Sequence, residues 1–400
     1  MDPILNPFTP GAGTTPPQLA GRDPMLDQAR LALRRLKAGR GDPRGQLFLG
    51  LRGVGKTVLL KAIEAMALEE RLLPVSIEVP EDERLAQCLT PALRTALFDL
   101  SRTANARHVA ERALAVLGQF AKAFTLNIVT GDLSVDPSTV RGIADSGDLE
   151  SDLPALCLQV AKAAQKAERP VVLLVDEMQY LSEEDLRALI VAMHKVAQAG
   201  LPLRLFGAGL PQLAALAGSA KSYAERLFAY PEVGPLDAES SRDAILRPIE
   251  KAGAAITEDA LALIAARTEG YPYFLQEWGQ HTWDVATSSP ITVADVETAT
   301  PITMADLDAG FFRVRFDRLT PSERSYLRGM AALGHGPHRS GEIAKRLNAK
   351  VSAVATVRST LIAKGMIYSP AHGDTAFTVP MFDDFMRRMM PGWGPRRARR

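Results

Sequence analysis

Through residue 20 the apolar positions follow no period and are broken by Pro3, Pro7, Pro10, Pro16 and Pro17, so residues 1–20 are predicted to form an extended arm. From there two patterns alternate. Short continuous apolar runs at Leu47-Phe48-Leu49, Pro74-Val75-Ser76-Ile77-Glu78-Val79, Pro170 to Val175 and Leu203-Arg204-Leu205-Phe206 read as strands covered on both faces, because such strands need no polar alternation. The segments between them, from Asp23 to about Lys37, from Val58 onward, and at about 83–101, 105–122 and 182–198, carry helical spacing. Repeated βα units predict a doubly wound, mostly parallel α/β sheet with its ligand at the carboxyl ends of the strands. One stretch, 124–136, alternates around Thr130-Gly131-Asp132 and predicts a hairpin inserted into that core. Beyond 237 the strands give way to helical patterns at about 238–251, 257–267 and 272–287. Three more follow at 320–333, 340–347 and 351–364, then hairpin strands at 366–368 and 375–379.

Chemistry concentrates where the first strand ends. Gly50-Leu51-Arg52-Gly53-Val54-Gly55-Lys56-Thr57 satisfies every fixed position of the phosphate-loop pattern between a strand and a helix. Glycines at 50, 53 and 55 let the backbone turn its N–H groups toward a triphosphate, Arg52, Val54 and Val58 completing the cradle. Lys56 reaches the β- and γ-phosphates, Thr57 offers a hydroxyl to Mg²⁺, and the helix dipole adds positive potential. The run ending in Val175-Asp176-Glu177 supplies the other half. An acid at the end of a central parallel strand lies near the phosphate loop, so Asp176 is expected to hold the metal and Glu177 to polarise the attacking water.

Composition and charge narrow the remainder. With 400 residues, 46% hydrophobic and 23% charged, two or three domains with full cores are expected. No apolar run approaches the ~18 residues of a spanning helix, the N-terminus lacks a basic segment followed by an apolar one, and Cys88 and Cys157 have no metal-ligand spacing, so a cytoplasmic protein is expected. Asp145, Asp148, Glu150 and Asp152 do not fit a calcium loop and read as a solvated loop ending in a helix cap before Pro154. From Leu319 onward fourteen Lys/Arg face five Asp/Glu, so that region carries +9 of a chain whose net charge is only +1. A basic end on an acidic body points to an anionic partner.

The ordered set of Gly21-Arg22-Asp23, the phosphate loop, Val175-Asp176-Glu177, Tyr223 to Phe228 and Gly270-Tyr271-Pro272-Tyr273-Phe274-Leu275-Gln276 resembles bacterial AAA+ type ATPases near the replication-initiator and STAND branches. The resemblance covers residues 19–300 and extends more loosely to 391. It implies an ATP-hydrolysing P-loop core at 21–236, a helical lid at 237–300, Arg22 near the adenine, Pro272 packed on it, and Arg226 as a finger reaching a neighbouring subunit's γ-phosphate, hence self-association. Two family positions differ: Gly207-Ala208-Gly209 stands where a polar sensor ends the fourth strand, and Gly270-Tyr271-Pro272-Tyr273 where initiators carry a lid arginine. Both departures point to slow, switch-like turnover.

Residues 301–391 resemble a winged helix-turn-helix, with 340–347 as first motif helix and the helix from Val351 as recognition helix. Lys350, Ser352, Thr356 and Arg358 would then face DNA phosphates or base edges, and 392–400 form a basic tail. The alternative is a regulatory ATPase scaffold that binds a protein partner, with the winged helix structural.

Overall fold

The computed structural model describes residues 1–11, 13–40, 44–127 and 137–394. Most of the hairpin expected at 124–136 and of the basic tail lies outside the described residues. Two compact units emerge: one comprises Arg22–Gly50 and Lys56–Val233, the other Met1–Gly21, Leu51–Gly55 and Gly234–Arg400.

The first unit runs α1 (Asp23–Lys37), β1 (Gly45–Leu49), α2 (Lys56–Glu69), β2 (Leu73–Glu78), α3 (Leu85–Ser101), α4 (Arg107–Ala123), α5 (Leu149–Lys166), β3 (Val171–Asp176), α6 (Glu183–Gln198), β4 (Leu203–Gly209), α7 (Leu213–Ala220), α8 (Ala224–Leu227) and β5 (Phe228–Ala229). All strand pairs are parallel, in the order β2-β3-β4-β1-β5, as the uniform apolar runs predict. Registers Leu47↔Gly207 and Leu173↔Leu205 put alternate residues on opposite faces. Leu47, Leu49, Val75, Leu173, Val175 and Leu205 join the core formed with α3 to α6. Their neighbours Phe48, Val172, Leu174 and Phe206 are equally buried and face the other way, where α2 packs on β2, β3 and β4 with α1 beside it. Each such aromatic or aliphatic side chain contributes about 1.5–3 kcal/mol of burial.

Local caps follow the sequence. Ser182 accepts the Asp185 N–H (3.0 Å) at the start of α6, and Asp148 accepts that of Ser151 (3.1 Å) at the start of α5. Asp152 is buried and accepts from Ser146 Oγ (2.8 Å) and the Gly147 N–H (2.8 Å), so its charge is spent on the turn before α5.

In the second unit, α9 (Ala238–Lys251), α10 (Glu258–Thr268) and α11 (Pro272–Val285) occupy the expected lid segments. The stretch about Pro290–Pro301 is largely helical: α12 (Val293–Asp306) crosses the boundary expected at 300/301, and Pro301 is tolerated inside it. A π-helix at Leu307–Phe312 and α13 (Arg313–Asp317) continue it. Then come α14 (Pro321–Ala331), β6 (His338–Arg339), α15 (Ser340–Arg346), α16 (Val351–Ala363), β7 (Ile367–Tyr368), β8 (Asp374–Phe377) and α17 (Phe382–Met389), with antiparallel strand order β6-β8-β7. The N-terminal arm is docked on α11. Phe8 is buried against Gly279, where a Cβ would stand 2.7 Å from the ring, Trp283 Nε1 donates to the Asp2 carbonyl (2.9 Å) and Asn6 Nδ2 to Asp284 Oδ1 (2.8 Å). No helix among the described residues is long and apolar enough to cross a membrane.

Candidate nucleotide site

Strand β1 delivers Gly50 at its carboxyl end, where the Gly50 N–H donates to the Gly209 carbonyl at the end of β4 (3.1 Å). The loop then turns through left-handed Gly53 (φ 82°) and Gly55 (φ 92°), conformations that a side chain would oppose. Lys56 opens α2; it is buried, and its Nζ donates back to the Gly50 carbonyl at the start of the loop (3.0 Å). Thr57 follows, and its hydroxyl donates to Asp176 Oδ2 (2.6 Å). β4 lies between β1 and β3, so this contact spans the width of one intervening strand.

The turn after β3 packs against the glycines ending β4. A Cβ on Gly207 would overlap Met178 Sδ and stand 2.7 Å from Leu47 Cδ2, and one on Gly209 would come within 3.2 Å of Gln179 Oε1. The apparent loss of a polar group at 207–209 therefore makes room for the turn after β3. Glu177 adopts φ 53°, rare for a residue with a side chain, and its N–H donates to Asp176 Oδ1 (2.8 Å). Its carboxylate accepts a hydrogen bond from the Gln179 amide, whose oxygen in turn accepts the Leu210 N–H (3.1 Å). Sequence reading passed over Gln179. The available signal was a carboxamide two positions after Glu177, set against a fourth strand with no polar end.

Burial pushes the Asp176 carboxyl above the ordinary range, while the Thr57 hydroxyl, the Glu177 N–H and the Lys56 ammonium pull the other way. A partly desolvated carboxylate beside a hydroxyl is a hard-oxygen pair suited to Mg²⁺, so these donors fit the metal.

The other expected residues fall elsewhere. Arg22 is buried at the start of α1, Val54 is buried in the loop, and Val58 is half-buried in the first turn of α2. The loop tip Leu51–Gly55 belongs to the second unit, where the Arg52 N–H donates to the Thr378 carbonyl (3.3 Å) and the Tyr273 N–H to the Gly53 carbonyl (3.3 Å). Pro272 is the first residue of α11, after left-handed Gly270, where a Cβ would overlap the Leu236 carbonyl. Arg226 is exposed on α8. Lys350, Ser352 and Thr356 are exposed at the start of α16. Arg358 departs from expectation: its guanidinium donates to Thr375 Oγ1 (2.9 Å), the Asp374 carbonyl (3.0 Å) and Ser369 Oγ (3.0 Å), so it braces α16 against the β7–β8 hairpin rather than facing a ligand.

A parallel sheet in this order, with a phosphate loop after β1 and an acid closing β3 on its threonine, defines a P-loop nucleoside-triphosphatase fold. Residues 18–206 match the family model of the AAA ATPase domain, and the chain carries an ATPase domain of the AAA+ type. Residues 309–386 match a second model, described as a domain of unknown function (DUF8462). No curated protein matches the chain in sequence. Among solved structures, a Walker-type ATPase of Pyrococcus abyssi is similar at 16% identity with a TM-score of 0.60, covering 92% of this chain and 96% of that one. The Orc1 protein of Aeropyrum pernix, solved in complex with DNA, aligns at 14% identity and TM-score 0.46 over 94% of each chain. The RuvB Holliday junction branch migration motor of Thermotoga maritima aligns at 15% and 0.44 over 96% of this chain and 100% of that one.

Proposed function

We propose that the chain is a slow ATPase that hydrolyses ATP to ADP and phosphate and uses the nucleotide to switch its C-terminal region. The carrying observation is the constellation of Lys56, Thr57, Asp176 and Glu177. Lys56 exchanges the Gly50 carbonyl for β- and γ-phosphate oxygens. Thr57 and Asp176 would hold Mg²⁺, which supplies charge neutralisation on the phosphates when bound. Glu177 orients and deprotonates the attacking water, and Gln179 holds its carboxylate in the position that does so. Arg22 and Pro272 flank the adenine. The exposed side chain of Arg226 is available to a neighbouring copy's γ-phosphate. Lys56→Ala should abolish ATP binding and Glu177→Gln should bind without turnover; normal ATP affinity in Lys56→Ala, measured by calorimetry, would refute the assignment.

The order α14, β6, α15, α16, β7, β8 supports a winged helix, and the basic balance beyond Leu319 supports DNA as its partner through Lys350, Ser352 and Thr356. Anisotropy of a labelled duplex with ATP analogue, ADP or neither, over a salt series, tests this. Tight, salt-sensitive, nucleotide-dependent binding is expected, and none at low salt overturns it. One observation favours the second reading, a protein partner. With Arg358 turned inward, the exposed positions of α16 include Val351, Ala353 and Ala355 and carry little charge.

A further inference from the structure

Between α12 and α13 the helix changes its hydrogen-bond spacing. Across Leu307–Phe312 it is π-helical, and the Arg313 N–H that closes the segment donates to the Asp308 carbonyl, five residues back where an α-helix would reach four. Such a turn holds one residue more than the α turn that could replace it, and π turns are rare and concentrate at functional sites. Neither backbone conformation nor packing calls for the glycine inside this one. Gly310 lies outside the left-handed region, and a Cβ there would meet nothing within 4 Å. Relative to alanine it weakens the helix, which leaves the segment easier to rearrange.

Side chains on both sides hold the extra residue in its present place. Phe311 stacks on Tyr273 of α11 (4.7 Å between centroids), and the Arg315 guanidinium lies over the same Phe311 ring (4.1 Å) and donates to the Phe311 carbonyl. Phe312, one residue on, stacks on Phe385 of α17 (5.3 Å), and the Arg388 guanidinium of α17 donates to both carboxylate oxygens of Asp308 (2.9 and 2.5 Å). Consecutive rings therefore serve different helices. An extra residue in a helix can move along it while both ends stay fixed, and each residue it passes turns by about 100° and advances by about 1.5 Å, one step of the α-helix. A step of that size takes Phe311 off Tyr273 and Phe312 off Phe385 together.

We infer that Leu307–Phe312 is a register joint: occupation of the nucleotide site moves the extra residue along the helix, which changes the ring partners of α11 and α17 in one step. The inference rests on the nucleotide switch proposed above. It is tested by amide hydrogen exchange of the full chain, with and without ATP analogue and Mg²⁺, in the wild type and two variants. Wild-type amides at 307–313 should change their exchange rate on saturation with the analogue. Deleting Gly310 removes the extra residue and restores α spacing, while Asp308 stays in register with α12 and Phe311 and Phe312 with α13. Those amides should then exchange slowly and equally in both states, at undiminished ATP affinity. Gly310→Ala keeps the residue count and should slow exchange about fivefold in both states, the helix-propensity difference between glycine and alanine, without removing the response. Unchanged wild-type exchange in protein saturated with the analogue by calorimetry overturns the joint. So does exchange in Gly310→Ala no slower than in the wild type, which would make the segment a fixed packing element. Failure of the wild type to bind the analogue refutes the ATPase reading instead; exchange in Gly310→Ala then decides alone, slowed exchange supporting a segment that can convert and unslowed exchange excluding it.

Discussion

Replacing Gln179 by alanine tests the arrangement around Glu177 more sharply than removing the glutamate itself. The Gln179 amide joins the Glu177 carboxylate to the Leu210 N–H, so it is the side chain that fixes a glutamate whose backbone already sits at φ 53°. A hydrogen bond to a charged group is worth about 1.5–3 kcal/mol. If that energy holds the water-activating carboxylate in its reactive position, its loss lowers kcat by roughly 10- to 100-fold. ATP affinity should stay unchanged, because Lys56, Thr57 and the loop backbone are untouched. Single-turnover hydrolysis and equilibrium binding of ATP give the two quantities separately. The double variant Glu177→Gln/Gln179→Ala should be no slower than Glu177→Gln alone, since Gln179 acts through Glu177. Gly209→Ala, which brings a Cβ to within 3.2 Å of Gln179 Oε1, should move kcat in the same direction. A normal kcat in Gln179→Ala, or a loss additive with Glu177→Gln, would show that the bond merely braces the turn.

Asp176→Asn should raise the melting temperature of the nucleotide-free protein while abolishing Mg²⁺-dependent ATP binding, because burial makes the ionised carboxyl costly without its metal; a lowered melting temperature in scanning calorimetry would contradict this. Phe8→Ala should release the N-terminal arm from α11 at up to the ~3–5 kcal/mol of a buried phenylalanine, and Gly279→Val should do the same, both read as accelerated proteolysis within residues 1–20. In the C-terminal region burial opposes ionisation of Glu323, but the Lys364 ammonium (2.9 Å), the Thr320 N–H and the Thr320 hydroxyl outweigh it and hold its pKa below 4.5. Its contribution is therefore present above pH 4.5 and lost as pH falls through the lowered folded value; Glu323→Gln should cost about 1–3 kcal/mol at neutral pH and flatten the acid limb of the denaturation profile.

The sheet, the phosphate loop and the acid-ended strand were readable because each rests on short-range pattern: apolar runs, glycine spacing, a terminal carboxylate. Thr57 and Asp176 meet as expected although they are 119 residues apart. What escaped reading depends on contacts between distant segments. Nothing near Phe8 says that Gly279 leaves a notch for its ring, and a proline-rich segment without periodicity reads as an extended arm whether docked or not. Arg358 has the spacing of a recognition-helix contact, but the hydroxyls of Ser369 and Thr375, eleven and seventeen residues on, turn it inward. Residues 237–300 and 301–391 read as separate segments, whereas the capping box of Thr292 and Asp295 starts a helix that runs from one into the other past Pro301.

The helix across the 300/301 boundary bears on how a nucleotide could act at a distance. α12 leads without a break into the π-helix, which carries Phe311 and Phe312. Phe311 stacks on Tyr273 (4.7 Å between centroids), and Phe312 meets Phe274 at 6.3 Å, all within the second unit. On its other side Phe312 stacks on Phe385 (5.3 Å) and meets Phe382 (5.9 Å) of α17. One aromatic core therefore joins α11 to α17, the last helix among the described residues, and packed cores reorganise between discrete arrangements rather than bending. If adenine packs on Pro272 as proposed, a displacement there would be carried through Tyr273 and Phe274 to α17 rather than absorbed at a hinge near residue 300. Phe312→Ala separates the two possibilities: it should leave ATP affinity intact and erase any nucleotide dependence of partner binding, whereas a flexible-linker mechanism would be indifferent to it.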